Sequence, residues 1–346
     1  MKLAAASRIL LALLLSAPFA YGQEAARSPA ASPPVAHEHK SVRLFAIGNS
    51  FSTDATHFLE ELATAGGHTL VFAHAFIPGS PLERHVQGTI AHELDPIDPE
   101  GKPYTMGGKK LSLKEMLLSK DWEYITIQQA SIKSFDADNY RPHAQQMADY
   151  IRKYAPHAHV VLHETWAYRA DNPMFSEGKV TRQAMYDGLH AAYRTIAGEI
   201  GAAGVIPVGT AFENALNDPR WVFRAPENVD PAAFTYPELP PQENSLHVGY
   251  KWPAASTQPA TKSATKSVTN PTTKPAGMVY DGSHASTLGR YLAACTWYEY
   301  FCGDVRGNAF APDGVTPQQA ATLRDIAHHT VHAKAPAPRQ LAAPSR

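Results

Sequence analysis

The stretch VRLFAIGNSFSTDATHFLEEL, from Val42 to Leu62, changes its periodicity once, and that change decides the fold. Residues 42–47 form an apolar run of strand length, interrupted only by Arg43 near its start, the form taken by a strand covered on both faces. Ser52, Thr53 or Asp54 can then cap a helix that carries Phe58, Leu59 and Leu62 and stops at Gly66-Gly67. Ser50 therefore falls at the carboxyl end of a strand, where open α/β sheets place their ligands.

Working outward, apolar runs at 69–76, 124–128, 159–162 and 204–208 alternate with helical patterns at 111–119, 142–154, 182–200, 286–301 and 317–330. This alternation predicts an α/β protein, a three-layer α/β/α sandwich around a central, mostly parallel five-stranded sheet of flavodoxin-like type. Residues 95–110, with Gly107-Gly108 as a turn, read as a hairpin or loop ahead of a short helix, placed to wall a cleft.

The chain of 346 residues opens with Lys2 and Arg8, the apolar run 9–15 and the small-residue site Ala20-Tyr21-Gly22. That order reads as a signal peptide over 1–22, cleaved near Gly22, and the expected location is periplasmic or secreted. The apolar run is too short to span a bilayer, and no cysteine follows the cleavage position to carry a lipid. Residues 23–40 read as a disordered linker, 41–333 as one catalytic domain, and 334–346 as a disordered tail. Within the domain, 252–277 is Ala, Thr, Ser, Lys and Pro, with near-repeats such as ATKS at 260–263 and 264–267, and reads as a low-complexity insertion. With 31 basic and 32 acidic residues the formal charge is −1, which favours neither nucleic acid nor an anionic membrane as partner. A neutral small-molecule or glycan substrate fits this balance.

Downstream lies Asp281-Gly282-Ser283-His284. A serine hydroxyl attacks an ester when a neighbouring imidazole takes its proton and a carboxylate fixes that imidazole's tautomer. Ser50, His284 and Asp281 supply nucleophile, base and orienter. The Gly-x-Ser-x-Gly elbow of other hydrolases is absent, and the acid and base stand three residues apart. Alone, Ser50 reads as a helix N-cap and Asp281-Gly282 as a turn; together they read as a site. Cys295 and Cys302 share one predicted helix, about 10 Å apart at about 1.5 Å per residue, beyond disulfide reach, and read as buried thiols. His328, His329 and His332 share helical spacing without an evident carboxylate or cysteine partner, so they read as a solvated face. No His-Glu-x-x-His, phosphate-binding loop or dinucleotide fingerprint is present in the sequence, and neither metal nor cofactor is expected.

Gly48-Asn49-Ser50-Phe51-Ser52 paired with Asp281-x-x-His284 resembles the first and last sequence blocks of the SGNH (GDSL-like) hydrolase superfamily. Gln128-Gln129-Ala130-Ser131, the run HETWAY at 163–168 and LGRYLAACTW at 288–297 resemble a bacterial branch of it that is a domain of unknown function. The resemblance implies an oxyanion hole with three donors. The first is the Ser50 amide, and the second is the amide of Gly79 in Ile77-Pro78-Gly79-Ser80, which otherwise reads as an ordinary Pro-Gly turn. The third donor is normally an asparagine in a Gly-x-Asn-Asp block, which this chain lacks. Gln129, or Gln128 if the register shifts by one, carries the same donor on a longer arm. Trp166 and His163, after the fourth strand, read as substrate-binding or, for Trp166, equally as core. His85 stands near Gly79 in the chain and reads as structural.

The implied activity is an exported serine esterase removing acetyl or similar acyl groups from a carbohydrate, with lipid and small aryl esters left open as substrates. A non-catalytic carbohydrate-binding protein on the same fold is the alternative that the missing asparagine block motivates. An acyltransferase would use the same residues as the esterase.

Overall fold

Val42, Leu44, Phe45, Ala46 and Ile47 are all buried, as a strand covered on both faces requires. A computed structural model describes residues 39–178, 180–253 and 277–333. The expected signal peptide, the insertion and the C-terminal tail lie wholly or almost wholly outside these residues, as does the linker apart from its end.

The strands in chain order are β1 (Ser41–Gly48), β2 (Thr69–Phe76), β3 (Tyr104–Met106), β4 (Lys109–Leu111), β5 (Tyr124–Ile127), β6 (His159–His163), β7 (Gly204–Ile206), β8 (His247–Lys251) and β9 (Val279–Ala285). The helices are α1 (Ser50–Ala55), α2 (Leu59–Ala65), α3 (Leu82–Leu94), α4 (Leu113–Leu117), α5 (His143–Tyr154), α6 (Pro173–Ser176), α7 (Arg182–Glu199), α8 (Val208–Asn217), α9 (Thr287–Phe301) and α10 (Pro317–His332).

Five strands form one sheet in the order β2-β1-β5-β6-β7, and every pairing in it is parallel. Because side chains alternate across a strand, Leu44 and Ala46 join an apolar layer with Leu59, Phe212 and Leu292, from α2, α8 and α9. Phe45 and Ile47 join the opposite layer with Val86, Met147 and Leu189, from α3, α5 and α7. The result is the three-layer α/β/α sandwich expected from the alternation. The strand order reverses at β1, whose neighbours β2 and β5 lie on opposite sides, so the crevice beyond its carboxyl end is the topological switch point.

Beyond the short α6 and a break that splits the first expected helix into α1 and α2, three elements depart from the expectation. Residues 204–208 give a strand ending at Ile206, with α8 starting at Val208. Helix α3 is new, because the stripe it buries includes His85, Gly88, Thr89 and His92, which carry no apolar period. The third is β8–β9, a separate antiparallel hairpin with an irregularity between His247 and Gly249. Gly107-Gly108 does turn a hairpin, β3–β4, with φ values of +57° and +76°.

The ends of the expected insertion are held side by side, since Lys251 pairs with Val279. Extra loop length adds little to closure entropy. Excising residues 256–275 is therefore expected to leave the melting temperature within about 2 °C of wild type by calorimetry, whereas a fall beyond about 5 °C would reveal packing by that segment.

Candidate active site

Asn49 ends the extended chain after β1 and begins the site. Its Oδ1 accepts the Phe51 N–H at 3.0 Å, making Asn49 the N-cap of α1, so the helix starts before Ser52, Thr53 and Asp54. Ser50 is thereby the first residue of α1, half-buried, with its N–H unclaimed inside the helix.

The hairpin β8–β9 brings His284 to Ser50 across 234 positions of sequence: His284 Nε2 lies 2.9 Å from Ser50 Oγ. His284 Nδ1 lies 3.1 Å from both carboxylate oxygens of Asp281, and Asp281 Oδ1 also accepts the His284 N–H at 3.1 Å. Lys251 Nζ donates to Asp281 Oδ2 at 3.1 Å. Because Asp281 and His284 belong to a strand rather than a free turn, their spacing is set by paired backbone. That strand is tied to the nucleophile's helix: Asp54 accepts the Ala285 N–H at 3.0 Å and Arg290 Nε at 2.8 Å.

These contacts set the charges. The hydrogen bond to Asp281 raises the His284 pKa above the ordinary histidine value, against burial, with the charges of Asp281 and Asp54 adding to the rise. Burial pushes the Asp281 carboxyl up, but hydrogen bonds from the His284 ring and backbone, with Lys251, outweigh it and hold the group well below the usual carboxylate range. The lysine works in the opposite direction on His284, lowering its pKa through charge.

Gly79 sits in the left-handed region, φ +59°, on an exposed turn, and no described residue accepts its N–H. The turn is fixed from behind. Asn49 Nδ2 donates to Ser80 O at 2.9 Å, Ser80 Oγ meets His85 Nε2 at 2.8 Å, and His85 Nδ1 meets the Tyr104 hydroxyl at 2.9 Å. His85 is structural, as read from the sequence, and burial pushes its pKa down to about 3.

Several expected ligand contacts are corrected. Gln129 is buried, donating from Nε2 to Asn139 O at 2.8 Å and accepting the Leu82 and Ala130 N–H groups at Oε1. Its carboxamide braces loops and is not offered as a third donor. Gln128 is the glutamine on the nucleophile's side, yet it too is buried: Nε2 donates to Asn49 Oδ1 at 2.7 Å and Oε1 pairs with His163 Nδ1 at 2.9 Å. Strand β5 ends at Ile127, so side-chain alternation no longer forces one of the two glutamines into the cleft. Trp166, with 0% exposure, cannot stack a sugar; it stacks on Phe51 at 4.4 Å and on Phe212 at 4.8 Å, and its Nε1 donates to Ser283 O. Fully buried His163 is likewise a core residue, its pKa lowered by burial to about 3.

Away from the site, Cys295 and Cys302 are buried free thiols, as the spacing predicts. The expected lack of a carboxylate partner is corrected for two of the three histidines: His328 Nδ1 and His332 Nε2 lie 3.0 and 2.7 Å from one oxygen of Glu299, while His332 and His329 remain exposed as expected.

Sequence reasoning missed Asn49, Lys251 and the Asp54–Arg290 pair. For Asn49 the signal was present, since asparagine after a strand and before a helix is a strong N-cap. Lys251 is separated from Asp281 by the insertion and left no local signal.

A family model described as a domain of unknown function, DUF4886, matches residues 43–219 and 256–330. A DUF4886 protein from Bacteroides uniformis, known from a crystal structure, is 26% identical, with 84% of this chain and 95% of that one covered at a TM-score of 0.58. A protein assigned as an SGNH hydrolase from Slackia heliotrinireducens is 20% identical over 56% of this chain and 92% of that one, with a TM-score of 0.39. A phospholipase A1 from Streptomyces albidoflavus is 11% identical over 54% and 89% of the respective chains, at 0.29. No curated protein matches. The chain belongs to the DUF4886 family, described as a domain of unknown function.

Proposed function

We propose that the protein is a serine esterase that forms an acyl-enzyme on Ser50 and releases the acyl group to water. The observation that carries this reading is the continuous hydrogen-bond line from Ser50 Oγ through the His284 ring to Asp281. His284, neutral at its Nε2, takes the proton as Ser50 attacks the ester carbonyl. The tetrahedral oxyanion faces the Ser50 and Gly79 amides. His284 then returns the proton to the leaving alcohol, and the same base activates water for deacylation. With both glutamines engaged elsewhere, the hole has two donors, and a lost donor typically costs about 2.7 to 4 kcal/mol, so a modest catalyst is expected. Acetyl is the first acyl group to test. A carbohydrate alcohol and action outside the cytoplasm rest on the signal-like start and near-neutral charge alone, because Trp166 is core.

The first test is labelling of the purified protein by a fluorophosphonate probe, with the modified residue located by mass spectrometry. Stoichiometric labelling at Ser50, lost in Ser50→Ala and His284→Ala, is expected. Aryl-acetate hydrolysis should fall by at least about 10³-fold in Ser50→Ala. An unlabelled wild type would sink the esterase and favour a non-catalytic carbohydrate-binding role.

The pH profile follows from the sign of the His284 shift. The working form is the neutral imidazole and its pKa is raised, so kcat/KM should be full above that pKa and fall as pH drops through it. The acid limb should have its midpoint above about 6.5, the ordinary histidine value. Lys251→Ala removes a charge that lowers the His284 pKa and should move the limb to higher pH. A limb that stays in place in this variant contradicts the assigned contact.

Asn49→Ala removes both the α1 cap and the bond to Ser80 O. The expected result is a fall in kcat of about 100-fold, the size of one lost oxyanion donor, with Ser50 still labelled. Unchanged kcat would show that the Gly79 turn holds itself.

A further inference from the structure

Helices α9 and α10 pack side by side, and Glu299 of α9 lies against two histidines of α10. His328 and His332 are four residues apart and so share one face of the helix. Their rings stand with centroids 4.6 Å apart, and His328 Nδ1 and His332 Nε2 converge on the same oxygen, Glu299 Oε1, at 3.0 and 2.7 Å. All three potential ligand atoms lie within 4.8 Å of one another.

Glu299 has 0% side-chain exposure. A carboxylate so deeply buried requires compensation. Its Oε2 accepts the Val305 N–H at 2.7 Å, which fixes the group's orientation. Among the described residues, its only ion-pair partners are these two histidines. The neighbouring acid, Asp304, is held by Arg306 and places Oδ1 3.6 Å from His328 Nδ1. A carboxylate facing two imidazoles is satisfied by protons on the rings or by a cation among the three.

We propose that Glu299, His328 and His332 form a binding site for a divalent cation of the zinc class, which fastens α10 to α9. Two imidazoles and a carboxylate are the donor set of zinc and its transition-metal neighbours rather than of magnesium or calcium. Tetrahedral zinc with bonds of about 2.0 to 2.1 Å holds its ligand atoms about 3.3 Å apart, so both histidine nitrogens, at 3.0 and 2.7 Å, must draw back from Glu299 Oε1, while the two nitrogens, within 4.8 Å of one another, settle at that spacing by rotation of a ring. The larger move falls to His332, whose side chain is 59% exposed. Water or Asp304 takes the fourth position. The Val305 amide on the other carboxylate oxygen is the kind of outer bond that orients a metal ligand. The site is structural: Glu299 lies about 18 Å along α9 from Thr287, at the end opposite the His284 hairpin.

The test is calorimetric titration of the untagged, chelator-stripped full chain with Zn²⁺, beside His328→Ala, His332→Ala and Glu299→Gln. One ion per chain is expected, bound at micromolar or lower concentration. Each histidine variant should bind at least tenfold more weakly, and the rise of a few degrees in melting temperature that Zn²⁺ gives the wild type should be lost. Glu299→Gln alters a buried group and can unfold the chain; exposed His332 keeps the test decisive. Absence of saturable binding, or wild-type affinity in either histidine variant, would show that the cluster is a hydrogen-bonded ion pair only.

Discussion

A single buried carboxamide, Asn49, holds together the three segments that meet at the switch point. Its oxygen takes the Phe51 amide of α1 and the Gln128 side-chain amide just beyond β5, while its nitrogen holds Ser80 O in the turn after β2. Each bond alone is worth about 1 kcal/mol, but losing the carboxamide strands several buried groups at about 1 to 3 kcal/mol each. The position of Ser50 and that of the Gly79 turn are therefore one constraint. The adjacent Gly48 has the same requirement, because a Cβ there would lie 2.2 Å from Ser52 Oγ and 3.0 Å from the Gln128 side chain.

His284 and Asp281 belong to a small hairpin outside the main sheet, so their alignment with Ser50 depends on how firmly that hairpin is moored. Four moorings act on consecutive residues of β9. Arg169 N–H donates to Gly282 O, Trp166 Nε1 to Ser283 O, the Ala285 N–H to Asp54, and Phe51 packs 5.7 Å from the His284 ring. Behind them Arg169, fully enclosed, pairs with Asp171 at 2.7 Å and lies against Phe223, Tyr250 and Tyr280. Such a buried cation is tolerated because its charge is paired and its faces meet aromatic rings. Gly249 admits it, since a Cβ at this φ of +68° would lie 1.8 Å from the guanidinium. Trp166 thus acts as the back wall of the site.

What was legible in the sequence follows from which interactions are local. The five strands and the helices α5, α7, α9 and α10 could be read because each writes its own period, and the sites of Ser50, Asp281 and His284 followed from strand ends and spacing. Helix α3 hid because much of the face it buries is polar or glycine, with His85 held by Tyr104 and Ser80 from elsewhere. The β8–β9 pairing hid because its halves are separated by the insertion. Gln129 and Trp166 were misassigned for one reason: a residue beyond a strand's carboxyl end can face either the cleft or the layer beneath, and long-range partners decide. Glu299 met His328 and His332 through helix packing that no single segment encodes.

The histidines around the site divide into two kinds, and the division isolates the chemistry from its scaffold. Burial lowers His85 and His163 to about 3 and His74 and His247 to about 4, so burial holds all four toward the neutral form. Each bonds a neutral partner: Ser80 and Tyr104, Gln128, Ser52, or the Ala167 carbonyl. His284 alone among these faces a carboxylate, which shifts it the other way. A proton can then arrive at and leave the base without altering the network that positions the Gly79 turn and the hairpin. Had the scaffold been built on ion pairs with its histidines, the same pH change that switches the base would also loosen its mounting. The neutral network removes that coupling, which leaves the protonation of one ring to set the pH response of the site.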